Sequence, residues 1–93
     1  MKKQNTKELA RILANIKDKE EMASFLDDLL TPAEKQEIPK RLQVVKMLLQ
    51  GVPQRQISEK LGVGIATVTR GSKELKNKTG GFRKILQKFY DKK

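Results

Sequence analysis

The residues best suited to chemistry lie in the run Gln54-Arg55-Gln56-Ile57-Ser58-Glu59-Lys60-Leu61-Gly62-Val63-Gly64-Ile65-Ala66-Thr67-Val68-Thr69-Arg70. Hydroxyls at Thr67 and Thr69 can hydrogen-bond base edges or phosphates, and the apolar Ile65 and Ala66 can touch thymine methyl groups. Arg55, Lys60, Lys73, Lys76 and Lys78 are natural phosphate contacts, and Gln54 completes the candidate DNA-contact set at the front of the run. This is recognition chemistry. The chain has no Cys and no His, so the usual nucleophile–base pairs and zinc sites cannot be assembled, and neither an enzyme nor a metal centre is expected.

The elements that must position these residues are two helices and a sharp turn. A small residue, Ser58, stands where two helices approach closely. Four residues on, Gly62 can take the left-handed conformation that a Cβ penalises. Ile57, Leu61 and Val68 can pin the helices together, leaving Ile65, Ala66, Thr67, Thr69 and Lys73 outward. The spacing therefore predicts a helix-turn-helix over about residues 53–76, whose second helix can enter a major groove N-terminus first. Charge points the same way. The chain carries a net +10, but residues 1–50 hold ten basic and eight acidic side chains, whereas residues 51–93 hold eleven and three. A surplus confined to one half suggests a surface that meets a polyanion.

The rest of the chain also reads as helix, with no strand signal. Leu9, Ile12, Leu13 and Ile16 recur at helical spacing, as do Met22, Phe25, Leu26, Leu29 and Leu30. Thr31-Pro32 reads as an N-cap followed by proline at the first helical position, with Glu34 in an acidic first turn. Ile38, Leu42, Val45 and Leu48 or Leu49 stripe that third segment, and Gly51 ends it. Pro39 inside it implies either a separate turn over Pro32–Ile38 or a kink. Pro53 opens a fourth helix. Ile65 to Lys76 forms a fifth, with Val68, Leu75 and, on a second assignment, Ala66 inward. Phe82, Ile85, Leu86 and Phe89 stripe a sixth before a solvated Asp91–Lys93 tail. The expectation is one all-α domain, residues 1–93, of six short helices. Its stripes are wide enough to need a partner surface, so a homodimer sharing one core follows. No apolar run approaches a membrane span, and no apolar stretch follows the basic Met1–Asn5, so a cytoplasmic protein without a signal peptide is expected. RNA binding is disfavoured, because of Phe25, Phe82, Phe89 and Tyr90 all but Tyr90 sit on apolar stripes.

Gly64-Ile65-Ala66-Thr67-Val68-Thr69-Arg70-Gly71-Ser72, followed by Leu75-Lys76, strongly resembles the tryptophan repressor family. Leu29-Leu30-Thr31-Pro32-Ala33-Glu34, Arg41 and Leu48-Leu49-x-Gly51 are similar to it as well, so the resemblance covers about residues 22–90. It implies an intertwined homodimer with two reading heads whose separation is adjusted by bound L-tryptophan, a sequence-specific repressor acting on double-stranded DNA at a palindromic operator of tryptophan biosynthesis or transport genes. It also implies a ligand site. Arg41 and Arg70 would flank the indole, and Arg70 would grip the carboxylate, a task suited to a planar guanidinium. Thr31 and the backbone near Leu30 would meet the polar end, and Gly71 would leave room for the ring. The chain departs from the family at Glu74, where serine is common near the ligand amine, at Pro39, and in the link Gly51–Gln54, one residue shorter. Two other readings remain at this point: a helix-turn-helix regulator that uses no ligand or another one, and a basic helical protein–protein interaction module.

Overall fold

In the computed structural model the described residues are 2–91. Met1, Lys92 and Lys93, and with the last two most of the anticipated tail, lie outside them. Among the described residues there are six α-helices and no strand: α1 (Lys2–Asn15), α2 (Lys19–Leu29), α3 (Pro32–Leu49), α4 (Gln54–Leu61), α5 (Ile65–Leu75) and α6 (Gln87–Asp91), the last entered through a single π turn, Phe82–Leu86. The all-α expectation holds. None of these helices is long and apolar enough to cross a membrane.

The chain forms two compact units, Met1–Lys35 and Gln36–Lys93. In the first, Asp18 caps α2 by accepting from the Glu21 N–H at 3.0 Å, and Glu20 and Glu21 complement the positive end of the helix dipole. Thr31 and Glu34 form a reciprocal capping box: Glu34 N–H donates to Thr31 Oγ1 at 3.2 Å, and Thr31 N–H donates to Glu34 Oε1 at 2.9 Å. Lys35 Nζ reaches Asp27 Oδ1 at 2.6 Å, tying the end of α2 to the start of α3. No described residue of this unit is buried. Leu9, Ile12 and Leu29 are exposed, and Leu13, Ile16, Met22, Phe25, Leu26 and Leu30 are half-buried.

Pro39 lies inside α3, which continues from Pro32 to Leu49. The separate turn over Pro32–Ile38 is therefore excluded. Proline deprives the Lys35 carbonyl of its helical partner, and that loss is tolerable because Lys35 is exposed and water can solvate the orphan group.

The core of the second unit is small and aliphatic. Val44, Ile57 and Val68 are buried together, with Met47, Leu48, Val52, Leu61 and Val63 packed around them. Each of the three comes from a different helix, so this cluster fixes α3, α4 and α5 against one another. Val45 and Leu75 are buried too, but Ile38 and Leu42 of the expected α3 stripe are exposed, as are Phe82, Ile85 and Phe89 of the last stripe. Ala66 is exposed, which removes its inward assignment. Pro53 is the extended N-cap residue of α4 rather than its first helical residue, and Lys76 is the C-cap of α5. Beyond α5, Arg83 Nε donates to the Leu75 carbonyl at 3.1 Å and Arg83 Nη1 to Gln87 Oε1 at 3.1 Å, a cation placed on the negative end of α5. Lys46 Nζ sits 5.5 Å from the centre of the Tyr90 ring, joining α3 to α6.

Candidate DNA interface and ligand cavity

The turn between α4 and α5 is built by backbone geometry that only glycine adopts without strain. Gly62 is left-handed, with φ 65°, and its N–H donates to the Ser58 carbonyl. Nothing lies within 4 Å of a Cβ built there, so glycine is required for its torsion and not for space. Ser58 does more than allow close approach: its hydroxyl donates to the Val63 carbonyl at 2.6 Å, while Val63 N–H returns to the Ser58 carbonyl at 3.2 Å. The turn is thus clamped at both ends of five residues. Gly64 then starts α5 in an extended conformation without a side-chain cap.

Ile57 and Val68 anchor the inner sides of the two helices at full burial. Their outer side carries the candidate DNA-contact residues. Ile65, Ala66, Thr67, Thr69, Lys73 and Lys76 on or just after α5 are exposed, as are Arg55 and Lys60 on α4 and Lys78 beyond; Gln54 is half-buried. Thr69 Oγ1 donates to Gln54 Oε1 at 3.1 Å. That bond joins the middle of α5 to the first turn of α4 across the outward face and is not readable from sequence spacing.

Behind this face lies a cavity of about 500 Å³, lined by Arg41, Val44 and Val45 of α3, by Thr67, Arg70, Gly71 and Glu74 of α5, and by Gly80, Gly81 and Phe82. Positions 41, 44 and 45 share one face of α3, and positions 67, 70, 71 and 74 share one face of α5, so the cavity is a groove between two helices closed by the chain that follows α5. It gathers Arg41, Arg70, Gly71 and Glu74 of the anticipated ligand set. Leu30 and Thr31 belong to the first compact unit, at the junction of α2 and α3. Thr67, anticipated only as a DNA contact, borders the cavity as well. The walls Val44 and Val45 could have been found from the i+3 and i+4 offsets from Arg41. Gly80, Gly81 and Phe82 gave no signal beyond a break and a stripe.

Gly71 has a packing role of its own. It is buried, and a Cβ there would meet Val44 Cγ1 at 3.2 Å and Leu48 Cδ1 at 3.6 Å. Its smallness lets α5 lie close against α3. Arg41 is paired with Glu37 at 3.6 Å in an exposed i,i+4 contact, an interaction of little strength in water. Among the described residues neither Arg70 nor Glu74 joins an ion pair. A groove with valine and phenylalanine walls, two guanidinium groups and one carboxylate suits a small molecule that is apolar at one end and doubly charged at the other.

The family model described as Trp repressor protein matches residues 4–90. A Trp operon repressor homolog of Aliivibrio salmonicida is 46% identical over 69 residues, 73% of this chain and 64% of the relative. One from Vibrio campbellii is 41% identical over 73 residues, 77% of this chain and 73% of the relative. One from Vibrio cholerae is 51% identical over 61 residues, 64% and 59% respectively. The matched stretch thus spans less than two thirds of the first and third of these relatives.

Proposed function

The chain belongs to the Trp repressor family, a family of non-enzymatic regulators, and from that premise we propose that it is a DNA-binding transcriptional repressor activated by L-tryptophan. Residues 1–93 act as one DNA-binding domain in a cytoplasmic, intertwined homodimer on a palindromic operator of tryptophan biosynthesis or transport genes. The observation that carries this reading is the double duty of α5, whose outward face presents Ile65, Ala66, Thr67 and Thr69 while its neighbouring face borders the cavity at Thr67, Arg70, Gly71 and Glu74.

A ligand shifts a conformational equilibrium only by favouring one state. An indole wedged between α3 and α5 favours the orientation of α5 that its own bulk sets. In helix-turn-helix dimers, the Trp repressor among them, two recognition helices must reach major grooves about 34 Å apart. Dimerisation is supported by the apolar surface that one chain leaves uncovered. Ile85 and Phe89 are 65% and 67% exposed, and Ile38 and Leu42 of the second unit and Leu9, Ile12 and Leu29 of the first are exposed as well, apolar side chains that a second subunit can cover.

The reading face is tested by Thr67→Ala and Thr69→Ala. Each is expected to lower the affinity ratio between operator and random duplex by about 5- to 100-fold, the range of one lost base contact. Fluorescence anisotropy with both duplexes at one salt concentration measures it. An unchanged ratio in both variants contradicts a DNA-reading role for this face and favours the protein-interaction module.

A further inference from the structure

Resting on the DNA-binding reading, we propose that Gln54 fixes the Thr69 hydroxyl as a hydrogen-bond acceptor toward the duplex, so that Thr69 selects a base with an exocyclic amine in the major groove, adenine or cytosine, and is not a phosphate contact.

Thr69 lies on the exposed side of α5, and Gln54 is the half-buried first residue of α4. Thr69 Oγ1 donates to Gln54 Oε1 at 3.1 Å. A hydroxyl has one proton and two lone pairs. With its proton committed to the amide oxygen, Thr69 has only lone pairs left to offer. Phosphate oxygens are acceptors too, so the two cannot share a hydrogen bond. The donors in a major groove are adenine N6 and cytosine N4. The bond therefore narrows a side chain able to serve either polarity to one that reads amines. The Gln54 amide N–H groups become the donor end of the same pair and suit a phosphate oxygen.

Fixed elements hold the two partners together. Ile57, one turn beyond Gln54, and Val68, next to Thr69, are fully buried in one cluster. The turn between the helices is clamped by the Ser58 hydroxyl on the Val63 carbonyl. Thr69 is β-branched, which restricts its χ1. In water a hydrogen bond between exposed neutral side chains contributes little to stability. A docked duplex displaces the competing water, and in that drier surrounding the bond strengthens. Gln54 thus acts through Thr69 as a positioning residue, and its effect falls on base discrimination rather than on the fold.

The experiment starts from the duplex that the native chain binds best in a randomised pool, at one salt concentration with saturating L-tryptophan. Each adenine is replaced in turn by hypoxanthine and each cytosine by uracil, the opposite strand unchanged. Either replacement puts a carbonyl oxygen where the amine was. Fluorescence anisotropy gives the amine-over-carbonyl preference of the native chain, Thr69→Val, Gln54→Ala and Gln54→Glu at every position. Preferences are expressed relative to Thr69→Val, which cancels the effect of the replacement on the duplex itself. The native chain is expected to show a relative preference of about tenfold at one position in each half-site, the value of a lost hydrogen bond with acceptor left facing acceptor. Gln54→Ala frees the hydroxyl to donate to the carbonyl and should bring that preference below threefold. Gln54→Glu, whose carboxylate accepts the same bond, should keep it while binding every duplex more weakly through charge repulsion.

The assignment is overturned, with the DNA-binding reading left standing, by any of three results: no position where the native chain and Thr69→Val differ, a native-like preference in Gln54→Ala, or its loss in Gln54→Glu. If the native chain recovers no sequence from the pool, the DNA-binding reading fails and the assignment with it. Neither side chain belongs to the buried cluster, and the preference is a ratio taken within each chain, so a purely structural role of Gln54 does not move it.

Discussion

Replacing Arg70 by alanine is expected to weaken L-tryptophan binding about a hundredfold, the upper range for charge-assisted hydrogen bonds to one guanidinium, and to abolish the ligand's effect on operator affinity. Arg70 borders the cavity and, among the described residues, is not committed to any internal ion pair, so its loss removes the proposed ligand contacts without breaking a structural bridge. Arg70→Lys keeps the charge but loses the planar fork and should fall between the two. The measurement is simple because the chain contains no Trp: all indole emission in a titration belongs to the ligand. Unaltered affinity in Arg70→Ala would move the ligand out of this cavity.

The second large effect is on stability. Ile57→Ala is expected to destabilise the protein by about 3 kcal/mol, from lost burial and the cavity left behind, and to lower the thermal midpoint by on the order of 15 °C. Ile57 has no exposed surface, and it is the residue of α4 in the cluster with Val44 and Val68. Few other buried side chains share the load. Ile57→Val should cost only about 1 kcal/mol. Circular dichroism at equal protein concentration compares them, since the midpoint of an oligomer depends on concentration. A midpoint within 3 °C of native in Ile57→Ala, roughly half a kcal/mol at this size, would show that α4 is not held through this residue.

What could be read from the chain was what depends on local chemistry. Gly62 was legible because a left-handed residue after a helix selects glycine, and the start of α3 because an N-cap threonine followed by proline is a local signal, although the reciprocal bonding of Thr31 and Glu34 was not read. Ile57 and Val68 were legible from helical periodicity. The cavity lining was legible where residues share one face of one helix, as Arg70, Gly71 and Glu74 do. What stayed hidden depends on contacts between elements. The closeness of Gly71 to Val44 and the Thr69–Gln54 hydrogen bond join residues 27 and 15 positions apart, and no periodicity encodes them. The α3 stripe was read through Ile38, Leu42 and Val45, but Val44 is buried as fully as Val45, while Ile38 and Leu42 face water. A single-chain pattern marks which side chains are apolar, not which surface covers them. Pro39 left a separate turn and a continuing helix both open, and the helix continues because an exposed helix interior can tolerate an orphan carbonyl that a buried one could not.

The central claim is that filling the groove between α3 and α5 orients the outward face of α5 for duplex DNA. Its most direct test is the affinity of the native chain for a palindromic operator, measured at fixed salt with and without saturating L-tryptophan. Tightening of at least tenfold on adding the ligand is the predicted result. Equal affinity in the two titrations would contradict it.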